Sequence, residues 1–188
     1  MKDNKPQIML HACCAVCMAY PIELLKQDYE PIVLFFNPNI YPETEYLRRR
    51  DELIKYCEKQ GYKYIIEEYA PEKWYEYVKG YEKEPEKGMR CNRCFEFRLE
   101  KTAQKAKELG IKYFTTTLTV SPHKVSKNIF TAGKTVAQKY DLEFIEYDFK
   151  KQNGFLKTME IAKQNNFYRQ QYCGCEFSVR TVSINNKK

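Results

Sequence analysis

Gln7-Ile8-Met9-Leu10-His11-Ala12-Cys13-Cys14-Ala15-Val16-Cys17 decides how this chain reads. The apolar run Gln7 to Leu10 predicts a first strand, and its carboxyl end runs straight into three thiols. Two further groups answer them: Arg90-Cys91-Asn92-Arg93-Cys94 and Tyr172-Cys173-Gly174-Cys175, with Cys57 standing alone. Thiolates at such spacings hold soft metals or exchange electrons with one another. The fold is therefore expected to bring the three groups to one place.

Outward from that strand, apolar segments alternate with helical ones. Pro21 suits a first-turn proline, with Ile22, Leu24 and Leu25 following on a short helix. Residues 31–36 form a β-branched and aromatic run that predicts a strand buried on both faces, closed by the Asn37-Pro38-Asn39 loop. Residues 44–60 carry Leu47, Leu53, Ile54 and Cys57 on one side of a helix, with Gly61 as its carboxyl cap. Residues 62–66 predict a third strand, and 70–89 a mobile or partly helical insertion. Cys91 and Cys94 open a helix that ends at Gly110. Residues 113–120 predict a fourth strand. Ser121-Pro122 predicts an N-cap and first-turn proline for a helix reaching about Tyr140, then a fifth strand over 142–147 and a helix over 154–165. This rhythm predicts one α/β domain over residues 1–188: a Rossmann-like, three-layer fold with a mostly parallel five-stranded sheet and a cysteine-bearing C-terminal segment. In such sheets ligands bind beyond the carboxyl ends of the strands, where Cys13 and Cys14 fall.

The chain begins Met-Lys-Asp-Asn-Lys-Pro with no apolar signal segment, and no apolar run approaches the ~20 residues that span a bilayer. A cytoplasmic protein is expected, and in a reducing cytosol clustered cysteines point to metal or redox chemistry rather than structural bridges. The net charge of +7 suits a polyanionic partner, or equally a lysine-rich solvated surface. Sixteen tyrosines suit base stacking or a filled core.

Four thiolates from Cys13, Cys14, Cys91 and Cys94 suit either a four-iron, four-sulfur cluster or a Zn(Cys)4 site. Adjacent strand residues point to opposite faces, so Cys13 and Cys14 serve one centre only if the backbone bends there. A Cys173–Cys175 disulfide would close a small, strained ring and be easily reduced, giving a two-electron store; the alternative is two more metal ligands. Cys17 suits a second metal or a thiol packed on the first helix, and Cys57 suits the core. His11 suits a ligand, a donor to one, or a satisfied buried polar group; His123 lies where it would touch substrate.

The His-Ala-Cys-Cys-Ala-Val-Cys, Met-Arg-Cys-Asn-Arg-Cys and Tyr-Cys-Gly-Cys motifs closely resemble the QueH family of epoxyqueuosine reductases. So do Phe-Asn-Pro-Asn-Ile at 36–40 and Thr-Leu-Thr-Val-Ser-Pro-His-Lys at 117–124. The resemblance covers nearly the whole chain in order. It implies an oxidoreductase that reduces epoxyqueuosine in tRNA to queuosine, the last step of queuosine biosynthesis, without cobalamin. It also implies a 4Fe-4S cluster on Cys13, Cys14, Cys91 and Cys94 with an adjacent mononuclear iron, for which Cys17 is a candidate ligand, and a redox-active Cys173/Cys175 pair. An external electron donor and a tRNA partner follow from the same resemblance. The sheet resembles that of ATP pyrophosphatases, but thiols occupy the place of a glycine-rich phosphate loop, so ATP use is not expected. Arg48, Arg49, Arg50, Arg90, Arg93 and Lys124 are candidates for phosphates or splayed bases. A metal-free thiol oxidoreductase and a zinc-stabilised nucleic-acid-binding module are the rival readings.

Overall fold

The computed structural model describes residues 5–178. Strands β1 (Gln7–His11), β2 (Glu30–Phe35), β3 (Lys63–Ile66), β4 (Tyr113–Thr116) and β5 (Glu143–Phe144) form one sheet in the order β3-β2-β1-β4-β5. Every pairing in it is parallel. Between the strands run α1 (Ala15–Leu25), α2 (Glu43–Gln60), α3 (Pro71–Val78), α4 (Met89–Glu108) and α5 (Ser126–Tyr140), and α6 (Gly154–Gln164) follows β5. The expected amino-terminal sequence lacking a signal segment falls mostly on residues 1–4, outside the described residues.

Alternation along β1 builds the three layers. Ile8 and Leu10 face a core with Ala19, Ile22 and Leu25 of α1 and Leu53 of α2. Met9 faces the opposite core, with Leu99, Ala103 and Ala106 of α4 and Ile129 and Val136 of α5. Chain order reverses direction at β1, whose neighbours are β2 on one side and β4 on the other. That reversal opens a crevice beyond the carboxyl ends of the strands, and the site lies there.

The structure departs from the sequence reading in four places. Pro21 lies inside α1 rather than in its first turn, so the Cys17 carbonyl loses its usual helical donor. β4 stops at Thr116 because its partner β1 stops at His11, and Thr117–Val120 turns into a 3-10 helix once the ladder has ended. Ser121 does not cap α5. Its Oγ accepts the His123 N–H at 3.3 Å in a local turn, and α5 begins at Ser126. β5 keeps only two residues, paired to Tyr113 and Phe114. The 70–89 segment is partly helical, as expected: it contains α3, whose Trp74 and Val78 pack on Cys94 and Cys175. Among the described residues no helix is long and apolar enough to cross a membrane.

Glu67 ties the end of β3 to α4 through Lys101 (2.9 Å) and Lys105 (3.1 Å). Burial alone would raise this carboxyl, but the two ammonium groups hold it below the ordinary value of 4.5. A carboxyl depressed on folding stabilises above its unfolded pKa, and that contribution disappears as pH falls through the folded one. Urea unfolding should therefore find Glu67→Gln less stable than wild type at pH 7, with the gap closing below about pH 4. Leu99→Ala, which empties a fully buried site, should lower unfolding free energy by about 2–5 kcal/mol at either pH.

Candidate functional site

β1 delivers Cys13 and Cys14 to the crevice, and the backbone bend expected there is made by the start of α1. Cys14 is the N-cap, extended at φ −175°, and its sulfur accepts the Cys17 N–H at 3.4 Å. One helical turn then returns Cys17 to the same side. The sulfurs of Cys13, Cys14 and Cys17 all lie within 4.8 Å of one another. Cys13 and Cys14 are 3.9 Å apart. Gln170 reaches in from the C-terminal segment, its amide N–H groups directed at Cys14 (3.3 Å) and Cys17 (3.6 Å).

Charge in this triad collects on Cys13. Hydrogen bonds from the Cys14 and Cys17 thiols hold Cys13 well below the usual thiol range despite burial, and Arg98 and Lys124 reinforce them. Donating to Cys13 pushes Cys14 and Cys17 up. Lys124 would lose its proton more readily through burial alone, but Cys173, Cys13 and Cys17 hold it above its ordinary range.

The second and third cysteine groups face each other. Cys91 and Cys94 occupy the first turn of α4, and Cys94 packs with Cys175 under Trp74. Burial raises both Cys91 and Cys94, and Cys173 pushes each further up. Burial also pushes Cys175 up to about 11. Cys173, half-buried, lines two adjoining cavities. The larger, of about 280 Å³, also has Cys13, Cys17, Arg98, Lys124 and Arg169 on its wall. The smaller has Cys91 and Lys124. Arg98 projects from α4 one turn after Cys94 and acts electrostatically on both Cys94 and Cys13.

All three groups thus lie at the carboxyl end of the sheet, with Cys173 between the other two. Among the described residues, the tight set of possible metal ligands is Cys13, Cys14 and Cys17. Three soft donors within 4.8 Å, mostly buried, fit a soft metal or the edge of an iron–sulfur cluster. The buried Gln170 Oε1, which has no hydrogen-bond partner in the structure, adds an acceptor beside them.

The remaining expected residues divide clearly. Cys57 is a core thiol, pushed up to about 12 by burial. His11 is fully buried with both ring nitrogens engaged, by Thr116 Oγ1 (2.8 Å) and the Phe36 carbonyl (3.3 Å). Burial, then Arg98, lowers its pKa to about 3, so the ring is held neutral between these two partners. His123 is exposed at the rim. Arg49 and Arg90 cannot meet nucleic acid as surface cations, being 1% and 2% exposed. Arg90 donates to the Tyr81, Glu82 and Glu84 carbonyls. Arg48 stays exposed with its guanidinium 3.4 Å from the centre of the Tyr168 ring, and Arg93 lies over Tyr77. Sequence reasoning missed Arg98 and Gln170. Arg98 had a signal, the four-residue spacing from Cys94; Gln170 had none.

A protein-family model described as "Epoxyqueuosine reductase QueH" matches residues 8–181. A Streptococcus pyogenes protein of that name is 40% identical over 186 residues, 96% of this chain and 73% of its own length. One from Acinetobacter baylyi is 40% identical, covering 97% of this chain and 85% of its own. One from Thermotoga maritima is 38% identical, covering 92% and 90%. Among solved structures, a predicted tRNA methyltransferase subunit from Methanocaldococcus jannaschii superposes with TM-score 0.56 at 10% identity, over 87% of this chain and 93% of that one. The U34-tRNA thiolase NcsA from Methanococcus maripaludis, solved with its 4Fe-4S cluster, gives 0.52 at 16% identity, over 96% of this chain and 61% of that one. At such identities the structural likeness is one of fold, the Rossmann-like α/β sheet. With a family match running from residue 8 to residue 181, this chain belongs to the epoxyqueuosine reductase QueH family.

Proposed function

We propose that this chain, acting as one domain in the cytoplasm, reduces epoxyqueuosine in tRNA to queuosine. The reading is carried by one observation: in a chain of this family, Cys173 lines the same cavity as Cys13 and Cys17. Cys13, Cys14, Cys91 and Cys94 would hold a 4Fe-4S cluster and Cys17 would serve an adjacent mononuclear iron, the likeness in fold to a cluster-bearing thiolase agreeing with such a cofactor. When bound, the iron centre supplies Lewis acidity and single-electron transfer.

The chain's own residues account for the balance of the reaction. Removing the epoxide oxygen as water consumes two electrons and two protons. The Cys173/Cys175 dithiol supplies both: its two S–H bonds break, an S–S bond forms, two carbon–oxygen bonds break, and the alkene and water remain. An external donor then returns the disulfide to the dithiol. Lys124 stays protonated among the thiols and, with Arg98, offers N–H groups and positive charge where negative charge develops on the oxygen. Phe155 and Met159 add apolar surface to the wall of the cavity. Exposed Arg48 and Arg169, at or near the C-terminal segment, suit the phosphates of tRNA.

The test is anaerobic purification with iron and sulfide analysis, coupled to turnover of epoxyqueuosine tRNA. Brown protein containing iron and sulfide, active on that tRNA, is the expected result. Colourless protein with zinc and no turnover would make it a nucleic-acid-binding module; colourless, metal-free protein would make it a thiol oxidoreductase. Cys14→Ser should lose iron and sulfide together, whereas Cys17→Ser should lose iron and keep sulfide. Cys173→Ser should keep both and lose turnover, and full turnover in that variant would remove the dithiol from the scheme.

A further inference from the structure

The Cys173–Cys175 loop is held by its main chain, carbonyl by carbonyl. Arg49 Nη2 donates to the Tyr172 carbonyl at 3.4 Å and Nη1 to the Cys173 carbonyl at 3.2 Å. The Tyr41 N–H donates to the Gly174 carbonyl at 2.8 Å. The Cys175 carbonyl accepts both the Ser178 N–H (2.9 Å) and the Ser178 hydroxyl (2.7 Å). Four successive carbonyls are therefore occupied, and the loop is fixed through its main chain.

Arg49 is the part of this device that comes from elsewhere in the fold. It projects from the middle of α2 and is 1% exposed. Its Nε donates to Glu45 at 2.6 Å, and the other Glu45 oxygen accepts the Tyr168 hydroxyl at 3.1 Å. The carboxylate thus compensates the buried charge and leaves the far side of the fork for the loop. Burial opposes the charged guanidinium, but Cys14, Glu45 and Cys13 together outweigh it, which places Arg49 within electrostatic reach of the thiol triad as well. Gly174 is shaped to this approach. It stands at φ +127°, and a β-carbon there would meet Ile40 at 3.1 Å and Arg49 Nη1 at 3.2 Å.

We infer that Arg49 is a positioning residue that fixes the Cys173/Cys175 dithiol against the Cys13–Cys14–Cys17 triad in its open, reactive arrangement. This rests on the dithiol role proposed above. A rigid fork is required, because only a guanidinium spans two carbonyls while still reaching a carboxylate. An ammonium at the same place keeps the charge and loses the second contact.

The test uses the full-length, anaerobically prepared protein with Arg49→Gln, Arg49→Lys and Gly174→Ala. Two quantities are read: kcat and KM on epoxyqueuosine tRNA, and the Cys173/Cys175 dithiol–disulfide equilibrium against glutathione, followed by mass spectrometry. Both Arg49 variants should lower kcat by at least about tenfold through misplaced thiols, with KM within about twofold of wild type because substrate binding is untouched. Released from its clamp, the loop should move at least tenfold toward the disulfide, about 30 mV for this two-electron couple. Folded Arg49 variants with both quantities within about twofold of wild type would overturn the inference. If Arg49→Gln does not fold, Gly174→Ala decides: it leaves the Arg49–Glu45 pair in place, should shift the same equilibrium, and an unshifted equilibrium overturns the clamp. A wild-type protein inactive on the tRNA would overturn the reductase reading instead, and the glutathione equilibrium would still decide the clamp.

Discussion

Three buried guanidinium groups govern where the sulfurs go. An isolated charge taken out of water costs several kcal/mol unless its surroundings replace the lost hydration. Arg49 finds Glu45 and the carbonyls beside Cys173. Arg90 finds carbonyls of the segment joining α3 to α4. Arg98 donates to the Asn37 side-chain oxygen at 2.5 Å, and Asn37 in turn donates to the Ala12 carbonyl at 2.9 Å, next to Cys13. Arg49 and Arg98 therefore each hold a cysteine-bearing segment, and Arg90 anchors the start of α4 that carries Cys91, so satisfying the charge and placing the thiol become a single requirement.

The same cations set the electrostatics of the crevice. Thiolates and any inorganic core they hold carry negative charge into a poorly hydrated place, and Arg98 and Lys124 oppose it from within the cavity wall. Exposed lysines would do this weakly, since water and salt screen them. Among the described residues the cations thus divide into two populations, a few embedded among sulfurs and many on the surface.

How much of this was legible beforehand follows from which interactions are local. β1, β2 and the helix after Cys91 were plain from apolar runs and helical spacing, and strand–helix alternation gave the parallel sheet. The end of β4 was not legible, because Thr117 to Val120 is as β-branched as what precedes it. What stops the strand is that β1 has ended at His11, a fact of pairing rather than of propensity. The cysteine groups stood out by spacing, but their regrouping did not. Cys17 joins Cys13 and Cys14 only because Cys14 caps α1 and one turn brings position 17 back. Arg49 sat in a run of three arginines that looked like a solvated face. Helical geometry turns the middle one inward, and beyond Glu45 on its own helix its partners come from the packing of the C-terminal segment on α2.

The sulfur that caps α1 is also one of the three clustered thiols, so its ligand chemistry and the integrity of that helix are linked. While Cys14 accepts the Cys17 N–H it seals the first turn, and Pro21 has already removed one rung further along. A soft metal that claimed the Cys14 lone pairs would weaken this seal, and Cys17, given to the adjacent iron in the proposed assignment, would be held from the other end of the same turn. Amide exchange at the start of α1 would thus report on whatever engages the Cys14 sulfur, without need of colour or turnover.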